Sequence, residues 1–302
     1  MPPVPAILAI DVGGTTIKAE VASGDGVLAA GRCPTPKGEH ALAAARDLGA
    51  TLIAEAAASG VVVQAAGVVV PGIVDAARGT AVYSSNIGWD NLAVTGPLSA
   101  EWGIPVRLGH DVIAAGHAEY LTGAGRGAAD VAFVAIGTGI AAALIVGGRV
   151  LDGNGAAQPG EIGHVVVRPG GPECGCGNRG CLEAVASAAA IARAYERATG
   201  EPAAGALAVF RAAERDPRAR VVIEAATVAL ADGLAVLTTL LAPERIVLGG
   251  GLAEAGAALL DPVAKALAGR VRVQPSPGLV TARHGERAGI VGAALLGQSM
   301  LP

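Results

Sequence analysis

Short apolar runs separated by glycine-rich turns open the chain, and the same pattern returns near its middle. Residues 6–11, 17–23 and 27–33 are β-prone runs divided by DVGGTT and SGDG, a spacing that predicts a three-stranded meander with tight turns. Residues 39–59 are rich in alanine and predict a helix, and 61–70 form a buried strand ending at Pro71-Gly72. Residues 92–102 read as a helix, 106–108 as a strand, and 111–121 as a helix whose first residue, Asp111, is an acid placed to cap it. The pattern then restarts. Residues 131–136 and 141–146 predict two strands joined by GTGI, Arg149-Val150 begins a third, and helices fill 182–200, 203–214 and 218–241. A strand at 245–248 runs into Gly249-Gly250-Gly251, followed by a helix, a strand near 279–282 and a last helix from Ile290.

Two halves that each open with a hairpin carrying Gly and Thr in its turn predict a duplicated α/β architecture with a cleft between them. The expected division is an N-terminal α/β domain over 1–113, which the helix 290–302 crosses back to join, and a larger α/β domain over 114–289. A length of 302 residues suits about two domains, and 52% apolar residues supply their cores.

Only 16% of residues are charged and the net charge is -4, so no basic stripe exists to attract nucleic acid or an anionic membrane; any phosphate must be held by local geometry. The N-terminus lacks the basic start and cleavage site of a signal peptide. The longest apolar stretch, 221–242, is interrupted by Glu224 and Asp232 and reads as an internal helix. Four cysteines do not make a disulfide framework, which points to a reducing compartment and a cytoplasmic protein, with Cys33 simply packed.

The most specific segment is GEIGHVVVRPGGPECGCGNRGCLE, residues 160–183. Cys174, Cys176 and Cys181 are separated by glycines and preceded by His164, so one loop can fold three thiolates and an imidazole around a tetrahedral zinc. Four protein ligands close the shell and make the metal structural. A redox C-x-C pair is the rival reading, but it leaves His164 and the third thiol without a role. Glu161 and Glu183 flank this loop, and carboxylates clamped there can each accept two sugar hydroxyls; solvated loop glutamates are the plainer alternative.

DVGGTTIK places Asp11 at a strand end before Gly13, Gly14, Thr15, Thr16 and Lys18. Such glycines let backbone N–H groups approach an anion, the hydroxyls add donors, and the acid can organise Mg²⁺ through water. Gly137, Thr138 and Gly139 form a similar second turn, and Gly249-Gly250 after a buried strand leaves room for a nucleobase or ribose, although each is also an ordinary turn composition. Neither the P-loop nor the dinucleotide-binding glycine pattern occurs. Asp111, between a strand and a helix, is either a helix cap or a base at the mouth of an α/β cleft.

Taken together these motifs resemble the ROK sugar kinases, bacterial glucokinases and their relatives, over essentially the whole length. DVGGTTIK is similar to the family's first phosphate motif, AIGTGI to the second, IVLGGGL to the adenosine motif, and PGEIGH with CGCGNRGCLE to its zinc signature. The resemblance implies an actin-like, ribonuclease-H-like ATPase fold and transfer of a phosphoryl group from MgATP to a hexose. It makes Asp111 the general base, Gly72, Asn86, His110, Glu161, His164 and Glu183 sugar contacts, and His164 with the three clustered cysteines the ligands of Zn²⁺. It also implies a homodimer or homotetramer. Where family members usually read E-N-D-A-N-A, this chain has Gly109-His110-Asp111-Val112-Ile113-Ala114, so the base is kept while its neighbouring asparagine is a histidine. Glucose therefore heads a set that includes mannose, fructose, N-acetylglucosamine and N-acetylmannosamine, and polyphosphate stays open as a donor. Sugar-sensing repressors of the family carry a DNA-binding domain ahead of the first phosphate motif, where this chain has about ten residues.

Overall fold

Strand β1 (Ala6–Val12) alternates its side chains between two apolar layers and so organises the first of two units. The computed structural model describes residues 6–24, 26–153 and 157–301. β1 pairs antiparallel with β2 (Thr16–Ser23), which pairs antiparallel with β3 (Gly26–Pro34). After α1 (His40–Ala58), β4 (Val63–Val70) lies parallel to β1. A separate antiparallel sheet of β5 (Ile73–Asp75), β6 (Thr80–Ser84) and β7 (Trp89–Ala93) precedes α2 (Thr95–Trp102). β8 (Val106–His110) then joins β4 in parallel and leads straight into α3 (Asp111–Thr122), giving the sheet order β3-β2-β1-β4-β8. The small sheet is absent from the sequence reading, and Leu92, expected to start a helix, belongs to β7.

The second unit repeats this order. β9 (Val131–Ile136) pairs antiparallel with β10 (Ile140–Val146), β10 with the two-residue β11 (Arg149–Val150), and β9 in parallel with β12 (Arg245–Gly249). Among the described residues four α-helices lie between β11 and β12: α4 (Leu182–Ala186), α5 (Ala188–Thr199), α6 (Ala206–Ala212) and α7 (Pro217–Leu241). The run expected as one helix over 182–200 breaks at Ser187, whose hydroxyl accepts the Ala190 N–H and caps α5. α7 starts on Asp216, which accepts the Arg218 N–H, with Pro217 at its first position. It alone among the described helices is long and apolar enough to cross a membrane, and half of that stretch is buried. Leu230, Leu234 and Leu182 form its core with Ile136, Leu248 and Leu252. After β12 a 3₁₀ turn (Gly251–Ala255) precedes α8 (Ala257–Ala268), and β13 (Gly278–Thr281) pairs in parallel with β12.

The last helix, α9 (Ala288–Gln298), packs on β1 and β4 and belongs to the first unit, which takes residues up to 118, 152–158 and 287 onward; the second takes 119–151 and 159–286. Ile290 and Ala293 fill a buried layer with Ala9, Val69 and Ala114. The approach is backbone to backbone: a β-carbon on Gly67 would collide with the Ala293 carbonyl, and one on Gly292 with that of Ala114.

Candidate active site

In the first unit the β1–β2 turn is closed by the Gly13 N–H donating to the Thr16 carbonyl at 3.0 Å. Asp11 stands opposite Lys18 in the strand register. Burial, and then the charge of Asp111, push the Asp11 carboxyl up to about 6, against the pull of Lys18. The two acids that the sequence separates by a hundred residues therefore share one electrostatic environment. Helix α9 backs this group: a β-carbon on Gly289 would lie 2.6 Å from Asp11 Oδ2.

Asp111 is the first residue of α3, and its Oδ1 accepts the Val112 N–H at 2.7 Å. The capping expected of Asp111 is performed instead by His110, whose Nδ1 accepts the Ile113 N–H at 3.4 Å. Accepting there leaves the proton of the neutral ring on Nε2. The same Nδ1 lies 3.5 Å from Asp111 Oδ1, a contact that becomes an ion pair only when the ring is protonated. Gly14 faces Asn86: a β-carbon on Gly14 would be 3.5 Å from Asn86 Cβ, so the phosphate-type turn and the loop after β6 lie side by side. Gly72, with φ of 100°, packs instead on Tyr83 and Ser84 of β6.

In the second unit Gly137, Thr138 and Gly139 form the β9–β10 turn, closed by the Gly137 N–H to the Gly139 carbonyl at 2.9 Å. Glu183 reaches this turn. Its Oε2 accepts the Ile140 N–H at 2.9 Å and would be 2.5 Å from a β-carbon on Gly139. Gly250 lies against the Ile136 backbone and Gly249 against the Phe133 ring, so the second phosphate-type turn, the glycine triplet and one loop carboxylate are gathered in one place.

The cysteine loop folds back on itself. Cys181 bridges to Val166, Leu182 N–H donates to the Val165 carbonyl at 2.9 Å, and these pairings carry Cys181 to His164. Gly180 turns at φ of 76° where a β-carbon would strike the Arg168 carbonyl, and Arg168 is itself held by Asp232 of α7 at 2.6 Å. The donor atoms of His164, Cys174, Cys176 and Cys181 all lie within 4.8 Å of one another. Cys176 Sγ is 3.7 Å from Cys181 Sγ, and Cys174 Sγ is 3.6 Å from His164 Nδ1. Tetrahedral zinc with bonds of about 2.3 Å to sulfur and about 2.05 Å to nitrogen requires separations of about 3.8 and 3.6 Å, so these donors could hold such an ion. The neighbouring thiols are shifted in opposite directions: the Asn178 N–H pulls Cys176 down to about 7, while burial pushes Cys181 up to about 12. His164 Nε2, on the far side of the ring, is 3.7 Å from Glu161 Oε2.

Sequence reasoning missed Thr35 and Lys37. Thr35 Oγ1 donates to the Gly13 carbonyl at 2.7 Å and Lys37 Nζ to the Asn86 carbonyl at 2.5 Å. Their partners are backbone atoms distant in sequence, which no spacing rule reaches.

Two units with the same sheet order, each carrying a Gly/Thr turn after its first strand, define the actin-like class of ATPase folds. The family model described as ROK family matches residues 7–300, and the chain belongs to that family. It is 32% identical to a glucokinase of Streptomyces coelicolor, over 98% of each chain, and 33% identical to an N-acetylmannosamine kinase of Shigella flexneri, over 97% of this chain and 98% of that one. Among solved structures, a ROK family glucokinase from Streptomyces griseus in complex with glucose and AMPPNP aligns with a TM-score of 0.83 and 31% identity, over 97% of this chain and 99% of that one. These relatives support an ATP-dependent sugar kinase and divide on the sugar.

Proposed function

We propose that the protein transfers the γ-phosphoryl group of MgATP to the 6-hydroxyl of a hexose, with glucose as the leading substrate. The observation that carries this reading is the proximity of the two motif sets within one unit: Asn86 Cβ lies 3.5 Å from where a β-carbon on Gly14 would stand, and Asp111 helps raise the carboxyl of Asp11. A sugar-type loop and a general-base candidate are thus adjacent to a phosphate-type turn, as transfer between the two ligands requires.

In this mechanism Asn86, Gly72, Glu161, His164 and Glu183 bind the sugar. Asp111 takes the proton of the 6-hydroxyl as its oxygen attacks the γ-phosphorus; the new O–P bond forms as the bond to the β,γ-bridging oxygen breaks and ADP leaves. Backbone N–H groups of the Gly13–Thr16 and Gly137–Gly139 turns meet the phosphate charge, Lys18 adds a cation, and Gly249 and Gly250 line the adenosine. Asp11 is the group suited to hold Mg²⁺, which supplies charge neutralisation on the phosphates. His164 and the three cysteines would hold Zn²⁺ as a structural ion, which would fix the loop that bears Glu161 and Glu183. The setting is cytoplasmic and the assembly a homodimer or homotetramer.

N-acetylmannosamine is the second reading, favoured by the full-length similarity to a kinase of that sugar. The choice turns on His110: with Nδ1 occupied by the Ile113 N–H, a neutral ring offers one donor, whereas an asparagine offers a donor and an acceptor. A coupled kinase assay over glucose, mannose, fructose, N-acetylglucosamine and N-acetylmannosamine, with ATP and polyphosphate in parallel, tests the proposal; no turnover on any sugar overturns it. In the same panel His110→Asn is expected to change the ranking by kcat/KM, by about 1–3 kcal/mol for a sugar that gains or loses a paired hydroxyl. Identical rankings would remove His110 from the sugar site.

A further inference from the structure

We propose that residues 35–38 form a strap that couples nucleotide binding to sugar binding, with Thr35 as its positioning residue; this rests on the kinase reading above. The strap leaves the end of β3 and is fixed at one end to the phosphate-type turn. There Thr35 Oγ1 donates to the Gly13 carbonyl at 2.7 Å, and the Thr35 N–H donates to the Thr15 carbonyl at 3.0 Å. Its other end is fixed to the loop that carries Asn86. The Gly38 N–H donates to the Ile87 carbonyl at 2.8 Å, the Trp89 indole N–H donates to the Gly38 carbonyl at 2.7 Å, and Lys37 Nζ reaches the Asn86 carbonyl. Pro34 and Pro36 fix φ on either side of Thr35 and take slack out of the span.

Gly14 faces Asn86 across a gap that one added β-carbon would fill to 3.5 Å, so these bonds tie turn, strap and loop together where the two lie side by side. A trans peptide is planar, so a carbonyl held toward Thr35 aims the N–H of the following residue the opposite way. Thr35 therefore sets the direction of the Gly14 N–H through the Gly13 carbonyl, and of the Thr16 N–H through the Thr15 carbonyl. Lys37 does the same for the peptide between Asn86 and Ile87. A sugar that orders the Asn86 loop thereby orders the donors offered to phosphate, and a nucleotide that orders those donors prepares the sugar loop. By linkage, each ligand tightens the other by the same factor.

Calorimetric titration tests this with the hexose ranked first in the assay above and a non-hydrolysable ATP analogue with Mg²⁺, each alone and in the presence of the other. Wild type is expected to show mutual tightening of about fivefold or more. Thr35→Val keeps the β-branched shape and deletes only the hydroxyl; it is expected to bind each ligand alone within about threefold of wild type while coupling falls to about twofold or less. Thr35→Ser restores the hydroxyl and should restore the coupling, which a loss of packing alone would not predict. Lys37→Met loosens the exposed end of the strap without touching the core and should lower the coupling independently. Absence of coupling in wild type, wild-type coupling in Thr35→Val and Lys37→Met, or failure of Thr35→Ser to rescue would each overturn the strap. If wild type phosphorylates no sugar, the kinase reading itself has failed; if it does and the coupling ignores these substitutions, only the strap has.

Discussion

Replacing Asp11 with asparagine should make the protein more stable and less active at once. A carboxyl whose pKa rises from its ordinary 3.8 to about 6 on folding stabilises the fold only while protonated: the contribution is complete below 3.8 and gone once the pH passes 6. At about 1.4 kcal/mol per pH unit, the ionised wild type gives up about 3 kcal/mol across that window, and roughly half of it falls between pH 5 and pH 8. Asparagine keeps the shape beside Gly289 and has no proton to lose. The stability of Asp11→Asn relative to wild type should therefore grow by about 1–1.5 kcal/mol from pH 5 to pH 8, measured by urea denaturation without Mg²⁺ or nucleotide. Turnover should fall, because the neutral amide brings no negative charge to hold Mg²⁺ against the phosphates. A stability difference that is the same at both pH values would refute the reasoning, since it would mean that neither burial nor Asp111 perturbs this carboxyl in the folded protein.

Asp111→Asn should fold normally, because an amide oxygen can still accept the Val112 N–H and His110 still caps α3, yet turn over about 10²–10⁴-fold more slowly; near wild-type kcat with unchanged sugar affinity would remove it as the base. Protein purified without added metal should carry one zinc per chain by elemental analysis, and Cys176→Ala should lose the metal, thermal stability and sugar affinity together; full activity at a stoichiometry near zero would end the structural-zinc reading.

Most strands and helices of the two large sheets were legible because their apolar runs are long and their turns carry glycine. The small sheet was not. β6 and β7 read TAVYS and WDNLA, too short and mixed to show a period, and their pairing with one another rather than any local preference makes them strands. The break at Ser187 was hidden for another reason: a serine inside an alanine-rich run is compatible with a helix until its hydroxyl is seen capping a new one. In the candidate site, the cysteine loop could be read because its four candidate donors are clustered in sequence. The exchange of roles between His110 and Asp111 could not, since either side chain can cap a helix and only the hydrogen bond to Ile113 decides between them. Thr35 left no trace at all, because the carbonyls it holds belong to residues of every type.

The docking of α9 on β1 and β4 has a consequence for the order in which the chain acquires its structure during synthesis. Val69 and Ala9 are made early, yet Ile290 and Ala293, which complete their layer, emerge only after the whole of the second unit. Until then one face of the nascent first sheet lacks its cover and Asp11 lacks the helix that backs it. Completion of the first unit's core therefore waits on residues made after the second unit, against the usual N-to-C sequence of domain maturation. A polypeptide stopped short of residue 288 should therefore present a greasy, half-covered sheet to chaperones and proteases, and Asp11 would be among the last groups to reach its buried surroundings.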